Sequence, residues 1–166
     1  EKAVPIKTLT EYNDPMTTEP TLNLQKIQTL LHSSHMDEPI KALKELEAFP
    51  LKGEVFETYI HILDHALWKV RKLAARRLEQ EIGITFPHVA KCILDETADR
   101  RYWAMHILPA AGKRALKPLM EAVERLEHPE NLFALKALSK LKEPSSIPFA
   151  LEKLKDPIWS VRKEAS

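Results

Sequence analysis

Glycine and cysteine are both scarce in this sequence. Three of the 166 residues are glycine, which leaves too little material for a glycine-rich loop that cradles phosphate groups. The single cysteine, Cys92, excludes an internal disulfide framework and is typical of a protein in a reducing compartment. Long apolar runs are missing as well, since none approaches the roughly 18 residues of a membrane-spanning helix. We therefore expect a cytoplasmic protein that does not insert into a membrane through this segment.

The sequence also lacks an excess of charge of either sign. Twenty-five lysines and arginines stand against 24 aspartates and glutamates, so the formal net charge is +1. A domain that binds nucleic acid usually has a clear excess of basic residues. The composition therefore does not favour a nucleic-acid partner. What the chain does have is a hydrophobic content of 44%, which at this length is sufficient for one domain with a real core.

The chain divides into a proline-rich start and a helical remainder. Residues 1–20 contain three prolines among several threonines, and no helical period of apolar residues continues across them. We predict an extended or disordered N-terminal arm there. From residue 21 onward apolar residues recur at helical spacing, and no strand-like alternation competes with that pattern. The predicted helices are Leu22–His32, Glu38–Phe49, Gly53–Leu63, Leu67–Glu81, Pro87–Leu94, Asp99–Leu108, Lys113–Leu126, Pro129–Leu141 and Ile147–Leu154, and Asp156 begins a further one.

Two residues between the fourth and fifth predicted helices are typical of a helix boundary. Gly83 is expected to end one helix, because glycine readily adopts the left-handed conformation of a helix C-terminus. Pro87 is expected to begin the next, because proline suits the first helical position.

A short motif recurs along the helical part of the chain. The segment Trp-Lys-Val-Arg-Lys at Trp68 returns as Trp-Ser-Val-Arg-Lys at Trp159, and in both an alanine follows three residues after the arginine. That alanine belongs to a series at spacings of 32, 30, 33 and 28 residues: Ala42, Ala74, Ala104, Ala137 and Ala165. Leu46, Leu78, Leu108 and Leu141 lie four residues after the first four members. A small residue followed by a large one lets a helix approach its neighbour closely and fill the gap beyond.

These units resemble HEAT-like repeats, in particular the short form named after the phycobilisome lyase subunits. Its first helix carries the pattern D-x-x-x-x-V-R-x-x-A-x-x-x-L, which Asp64–Leu78 matches best, with one residue more between the aspartate and the valine. In Asp156–Ala165 the aspartate lies one residue closer to the valine, and Asp99–Leu108 keeps Arg101 but has Arg100 in place of the valine. The resemblance implies an all-α fold, a right-handed α-solenoid of about four to five helix pairs. Residues 21–166 would form this repeat domain, truncated within its last repeat.

The resemblance implies binding rather than catalysis. In such solenoids the second helix of each pair lines the concave side. We therefore expect a non-enzymatic scaffold for a protein partner, or a regulatory domain of a larger protein that could include a membrane domain. The candidate partner-binding residues are the outward positions of the second helices: Glu57, His61, Lys91, Lys117 and Glu121. The alternatives are a nucleic-acid-binding domain of the DNA-glycosylase type and an enzyme subunit of the bilin-lyase type.

The densest charge in the chain allows two interpretations. Five basic residues lie within nine positions: Lys69, Arg71, Lys72, Arg76 and Arg77. They could form a phosphate-binding patch, because helical spacing projects several of them from one side. We favour a structural role. Arg71 and Arg162 are the repeat arginines, and each is expected to pair with the aspartate of its own unit, Asp64 or Asp156. The other four are expected on a solvated helix face.

Other chemistry-bearing residues are expected to be structural. The three tryptophans could stack on a base or a tetrapyrrole, but we favour packing for Trp68, Trp103 and Trp159. Two pairs have the i,i+4 spacing of metal ligands on a helix: His61 with His65, and His88 with Cys92. Neither pair has further ligands at a fixed offset. We therefore expect no metal, no cofactor and no catalytic residue.

Overall fold

The computed structural model describes residues 24–33, 35 and 37–166, and these residues form helices and turns without a β-strand. The all-α prediction is therefore confirmed for this part of the chain. The predicted arm at 1–20 lies outside the described residues. Within the described ranges, no helix has both the length and the apolar character that crossing a bilayer requires.

The order of elements follows the predicted helices closely. The α-helices are α1 (Leu24–Leu31), α2 (Glu38–Glu47), α3 (Gly53–Ile62), α4 (Trp68–Gln80), α5 (Ile82–Cys92), α6 (Ala98–Ile107), α7 (Leu116–Arg125), α8 (Glu130–Ser139), α9 (Ile147–Lys153) and α10 (Trp159–Ala165). A 3-10 segment at Leu108–Ala115 joins α6 to α7, and a shorter one at Pro144–Ser146 precedes α9.

The prediction was wrong at the start of α5. Helix α5 begins at Ile82, directly after a single turn residue, Glu81, and Pro87 lies inside it. Gly83 is therefore in the first turn of α5 and does not end α4. A proline in a helix removes the bond to the carbonyl four residues earlier, which here is that of Gly83. Because Gly83 is exposed, this carbonyl is not buried without a partner, and the helix continues.

The prediction also placed the start of α7 too early. The segment before it is a 3-10 helix that is broken at Gly112, where φ is 57° and ψ is −136°. Positive φ costs little for glycine and much for other residues. Gly112 thus interrupts the 3-10 segment that joins α6 to α7.

The buried positions reveal the register of the repeat. Ala42, Ala74 and Ala104 are fully buried, and so is the leucine four residues after each of them. In α8 the matching buried pair is Ala134 and Leu138 rather than Ala137 and Leu141. With Ala134 in the series, the spacings from Ala42 to Ala165 become 32, 30, 30 and 31 residues. These spacings are more regular than those of the series that contains Ala137.

The packing of the helices follows their order in the chain. Helix α2 contacts α4, α4 contacts α6, α6 contacts α8 and α8 contacts α10. We call these five the first helices. The last four are each preceded by a helix that packs against them and that we call a second helix: α3 against α4, α5 against α6, α7 against α8 and α9 against α10. Neighbouring second helices also meet, since the rings of Phe56 in α3 and His88 in α5 lie 4.3 Å apart, and Lys153 of α9 pairs with Glu124 of α7.

The repeat leucine should carry much of the stability. We predict that Leu78→Ala lowers the free energy of unfolding by about 2–5 kcal/mol, because it opens a cavity between neighbouring helices. Leu151→Ala is the matched control, since Leu151 is 57% exposed and should cost less than about 1 kcal/mol. Chemical denaturation measures both. Equal losses in the two variants would contradict the assigned register.

Candidate functional site

A cavity of about 840 Å³ lies where the end of α1, the end of α3, the loop before α4 and the start of α6 meet. Its apolar lining includes Leu31 and Ile62. Its polar lining includes His61, Asp64 and Arg100. A concave site with an apolar wall and a few convergent polar groups is the usual form of a binding pocket.

Arg100 is the most unusual residue of this cavity. It occupies the repeat position of Val70 and Val161, both of which are buried in the core. Its Nη2 donates a hydrogen bond of 2.6 Å to Asp64 Oδ2, and its Nη1 lies 3.6 Å from Asp95 Oδ2. The guanidinium therefore bridges the loops before α4 and α6. Two carboxylates offset the cost of placing a charge at a core position.

The two histidines of the cavity are bound to different groups. His61 Nδ1 lies 3.1 Å from Arg100 Nη2, which identifies this nitrogen as the acceptor. His65 Nδ1 accepts a hydrogen bond of 3.0 Å from the Leu67 N–H, and its Nε2 donates one of 2.7 Å to the Leu31 carbonyl. Both ring nitrogens of His65 thus hold backbone groups together, and this fixes the end of α1 against the start of α4.

His88 and Cys92, the second pair with the spacing of metal ligands, also make structural contacts. The His88 ring packs on Phe56, and Cys92 is 5% exposed. Burial raises the pKa of the Cys92 thiol to about 11, and the nearby carboxylate of Asp95 adds to this shift. The thiol is therefore protonated at neutral pH, the form that binds metals poorly. In the described part of the chain, no three His, Cys, Asp or Glu side chains are arranged to hold a metal ion.

All five predicted partner-binding residues are exposed: Glu57, His61, Lys91, Lys117 and Glu121. His61 also lines the cavity, so it connects the outward surface of α3 to that site. Glu121 is engaged within α7 by Arg125, whose Nη1 donates to it over 2.8 Å. Partner binding by these residues stays a prediction.

The predicted pairing of the repeat arginines was wrong. Arg71 Nη1 donates to the His65 carbonyl over 2.7 Å and lies 3.3 Å from Asp99 Oδ2 in α6. The carboxylate of Asp64 is bound by Arg100 instead. At the fourth position of its helix, a repeat arginine reaches back to the carbonyls of the preceding loop, and its own aspartate does not lie on that path.

Two further arginines repeat this arrangement. Arg162 Nη1 donates to the backbone carbonyls of Asp156 and Pro157, so the predicted pairing with the Asp156 carboxylate was also wrong. Arg101 donates to the Asp95 carbonyl over 2.7 Å and binds both carboxylate oxygens of Glu130 in α8, at 2.7 and 2.8 Å. The repeat arginines therefore close their own loops, and two of them also bind the next first helix.

The predicted packing role holds for only one tryptophan in full. Trp103 is buried, and its ring lies 6.2 Å from that of Trp68 in the preceding unit. Trp68 covers this junction but remains 54% exposed, and Trp159 is 64% exposed. Much of both rings is thus available to other molecules.

A scan of the sequence against models of known protein families finds no match. A search of curated proteins likewise finds no similar sequence. The functional argument therefore rests on the chain's own residues and their geometry.

Arg100 should be essential to the order of the cavity. We predict that Arg100→Ala lowers the free energy of unfolding by about 1.5–3 kcal/mol, because it removes charged hydrogen bonds and leaves two carboxylates close together. Arg125→Ala is the control, because its exposed pair within one helix is worth about 0.5 kcal/mol or less. Urea denaturation would compare the two. If Arg100→Ala cost no more than the control, the bridge would have no structural role.

Proposed function

We propose that the chain is a right-handed α-solenoid of HEAT-like helix pairs and serves as a non-enzymatic scaffold for a protein partner. It could act alone or as the regulatory part of a larger protein. Solenoids stack units that contact mainly their neighbours and present a long continuous surface.

The packing order supports the solenoid. First helices contact first helices from α2 to α10, and second helices meet through side chains such as Phe56 and His88. The buried alanine and leucine recur in phase through α2, α4, α6 and α8. The pairs of Arg71 with Asp99 and Arg101 with Glu130 connect successive first helices in the same way.

The observation that carries the binding role is the exposed, mixed-charge surface of α3, α5 and α7 beside the cavity. Glu57 and Lys91 are both exposed on the neighbouring helices α3 and α5, and Lys117 and Glu121 are exposed on α7. Polar surfaces of mixed sign suit a protein partner, whose surface also mixes both signs. The cavity beside His61 could accept an apolar side chain of that partner.

Two features support a role without catalysis. Two polar residues of the cavity are already bound, since Arg100 faces two carboxylates and His65 uses both ring nitrogens on backbone groups. A general base or nucleophile needs a free reactive atom near the substrate. Binding of nucleic acid in the manner of a DNA glycosylase is less well supported on this surface, because the negative charges of Glu57 and Glu121 lie among the lysines.

Binding of the protein partner should weaken when the charges of this surface are reversed. We predict that the triple variant Glu57→Lys, Lys91→Glu and Lys117→Glu captures its main partner from source-cell lysate at least about tenfold less, as loss of complementary charge reduces affinity. The readout is quantitative mass spectrometry, followed by binding of the purified partner.

The matched control is the triple variant Lys52→Glu, Lys155→Glu and Glu127→Lys, whose residues are exposed outside this surface. Circular dichroism would verify that both variants fold. Equal capture by the two variants would show that the second-helix surface does not bind the partner.

A further inference from the structure

The first helices carry a row of basic residues that emerges once the register is set by burial. Two positions after the buried alanines of α2, α4, α6 and α8 stand Lys44, Arg76, His106 and Lys136, at spacings of 32, 30 and 30 residues. All four are exposed. These helices contact one another in order, from which we infer that equivalent positions of successive helices lie near one another. Packed helices are about 8–10 Å apart, so the row is roughly 25–30 Å long.

Aromatic rings lie on the same helices as this basic row. The ring of Trp103 is 6.2 Å from that of Trp68 and 5.4 Å from that of Tyr102. Tyr102 in turn contacts Phe133 at 5.9 Å and His106 at 4.6 Å. The rings therefore cross from α4 through α6 to α8. The two outermost are well exposed, 54% for Trp68 and 43% for Phe133.

Further cations lie close to these rings. Lys72 Nζ is 4.9 Å from the centroid of the Trp68 ring. Burial lowers the pKa of His106, and the positive charges of Lys140 and Lys136 lower it further. His106 is therefore mostly neutral at neutral pH, and the positive charge near it comes from Lys136 and Lys140, as that near Trp68 comes from Lys72.

The balanced net charge of the chain conceals an uneven distribution of charge among its helices. Helix α4 carries five basic residues against one acidic, α6 two against one, α8 one against one and α2 two against three. These four helices therefore hold ten basic and six acidic residues, while the remainder holds fifteen and eighteen. Asp99 and Glu130 are compensated by their arginine partners. Glu47 and Glu79 are exposed and lie three residues after Lys44 and Arg76 in the chain, and Glu47 also lines a small cavity together with Arg76.

We propose that this face of the first helices binds single-stranded nucleic acid, with phosphates on the two lysines and the arginine of the basic row and unpaired bases on Trp68 and Phe133. Single-strand binding surfaces combine cations that follow the backbone with aromatic rings on which bases stack. A duplex offers only base edges, so it could not use the exposed rings. The proposal concerns a different surface from the protein-binding second helices, and each can fail without the other.

The test is fluorescence anisotropy with labelled single strands of about 15 thymidines or uridines at about 50 mM NaCl. We expect saturable binding to the wild-type protein. The triple variant Lys44→Gln, Arg76→Gln and Lys136→Gln should bind at least about tenfold more weakly. The slope of log affinity against log salt should also become shallower by about 2, because each lost phosphate contact contributes about 0.7 for a single strand.

The matched control has the same change in charge elsewhere. Lys52→Gln, Lys113→Gln and Lys155→Gln alter exposed lysines outside the first helices, and binding should stay within about twofold of the wild type. Phe133→Leu and Trp68→Leu should each weaken binding about 5- to 100-fold, the effect of losing one stacked base. If the triple variant did not fold, Lys136→Gln with Phe133→Leu would take its place.

Four results would overturn the proposal. The first is no binding of either single strand at low salt. The second is equal affinity for a duplex of the same length, and the third is full competition by a polyglutamate peptide, since each would indicate a general polyanion surface. The fourth is equal weakening in the control triple variant.

Discussion

The fold depends on one constraint, which is that no helix pair can cover its own apolar side. The buried alanine of α2, α4, α6 and α8 lets the next helix approach closely, and the leucine one turn later fills the space between them. The side chains buried in this way form one hydrophobic cluster that runs from Ile27 to Val161. The pairs of Arg71 with Asp99 and Arg101 with Glu130 add a directional contact between successive first helices.

The same constraint determines where the two proposed binding surfaces lie. Packing buries the inward side of every helix, so the residues on the outward sides are free to differ in charge and size. The outward sides of the second helices carry charges of both signs and lie beside the cavity. Arg100 and His65 order that cavity, because Arg100 binds a carboxylate of the neighbouring loop and His65 binds two backbone groups. The outward sides of the first helices carry cations beside aromatic rings. The outward sides of these helices thus display two chemically different surfaces.

Most helices could be predicted from sequence because apolar residues recur with a clear period, and errors arose where a local signal was ambiguous. Pro87 normally marks a helix start, and only the exposure of Gly83 shows why the helix tolerates it. The partner of Arg71 depends on which carboxylate lies near in space, which spacing does not reveal. In α8 both Ala134 and Ala137 fit the repeat, and the choice of Ala137 placed Ser139, not Lys136, in the basic row. That three-residue shift concealed the row.

Removal of the last unit tests the central claim most directly. A chain ending at Lys142 lacks α9 and α10, and circular dichroism with urea denaturation would follow its helices. If units are stabilised by their neighbours, α1 to α8 should keep their helical signal and unfold cooperatively, with a free energy of unfolding reduced by only part of the total. Loss of most of the helical signal in the shortened chain would contradict a stack of neighbouring units.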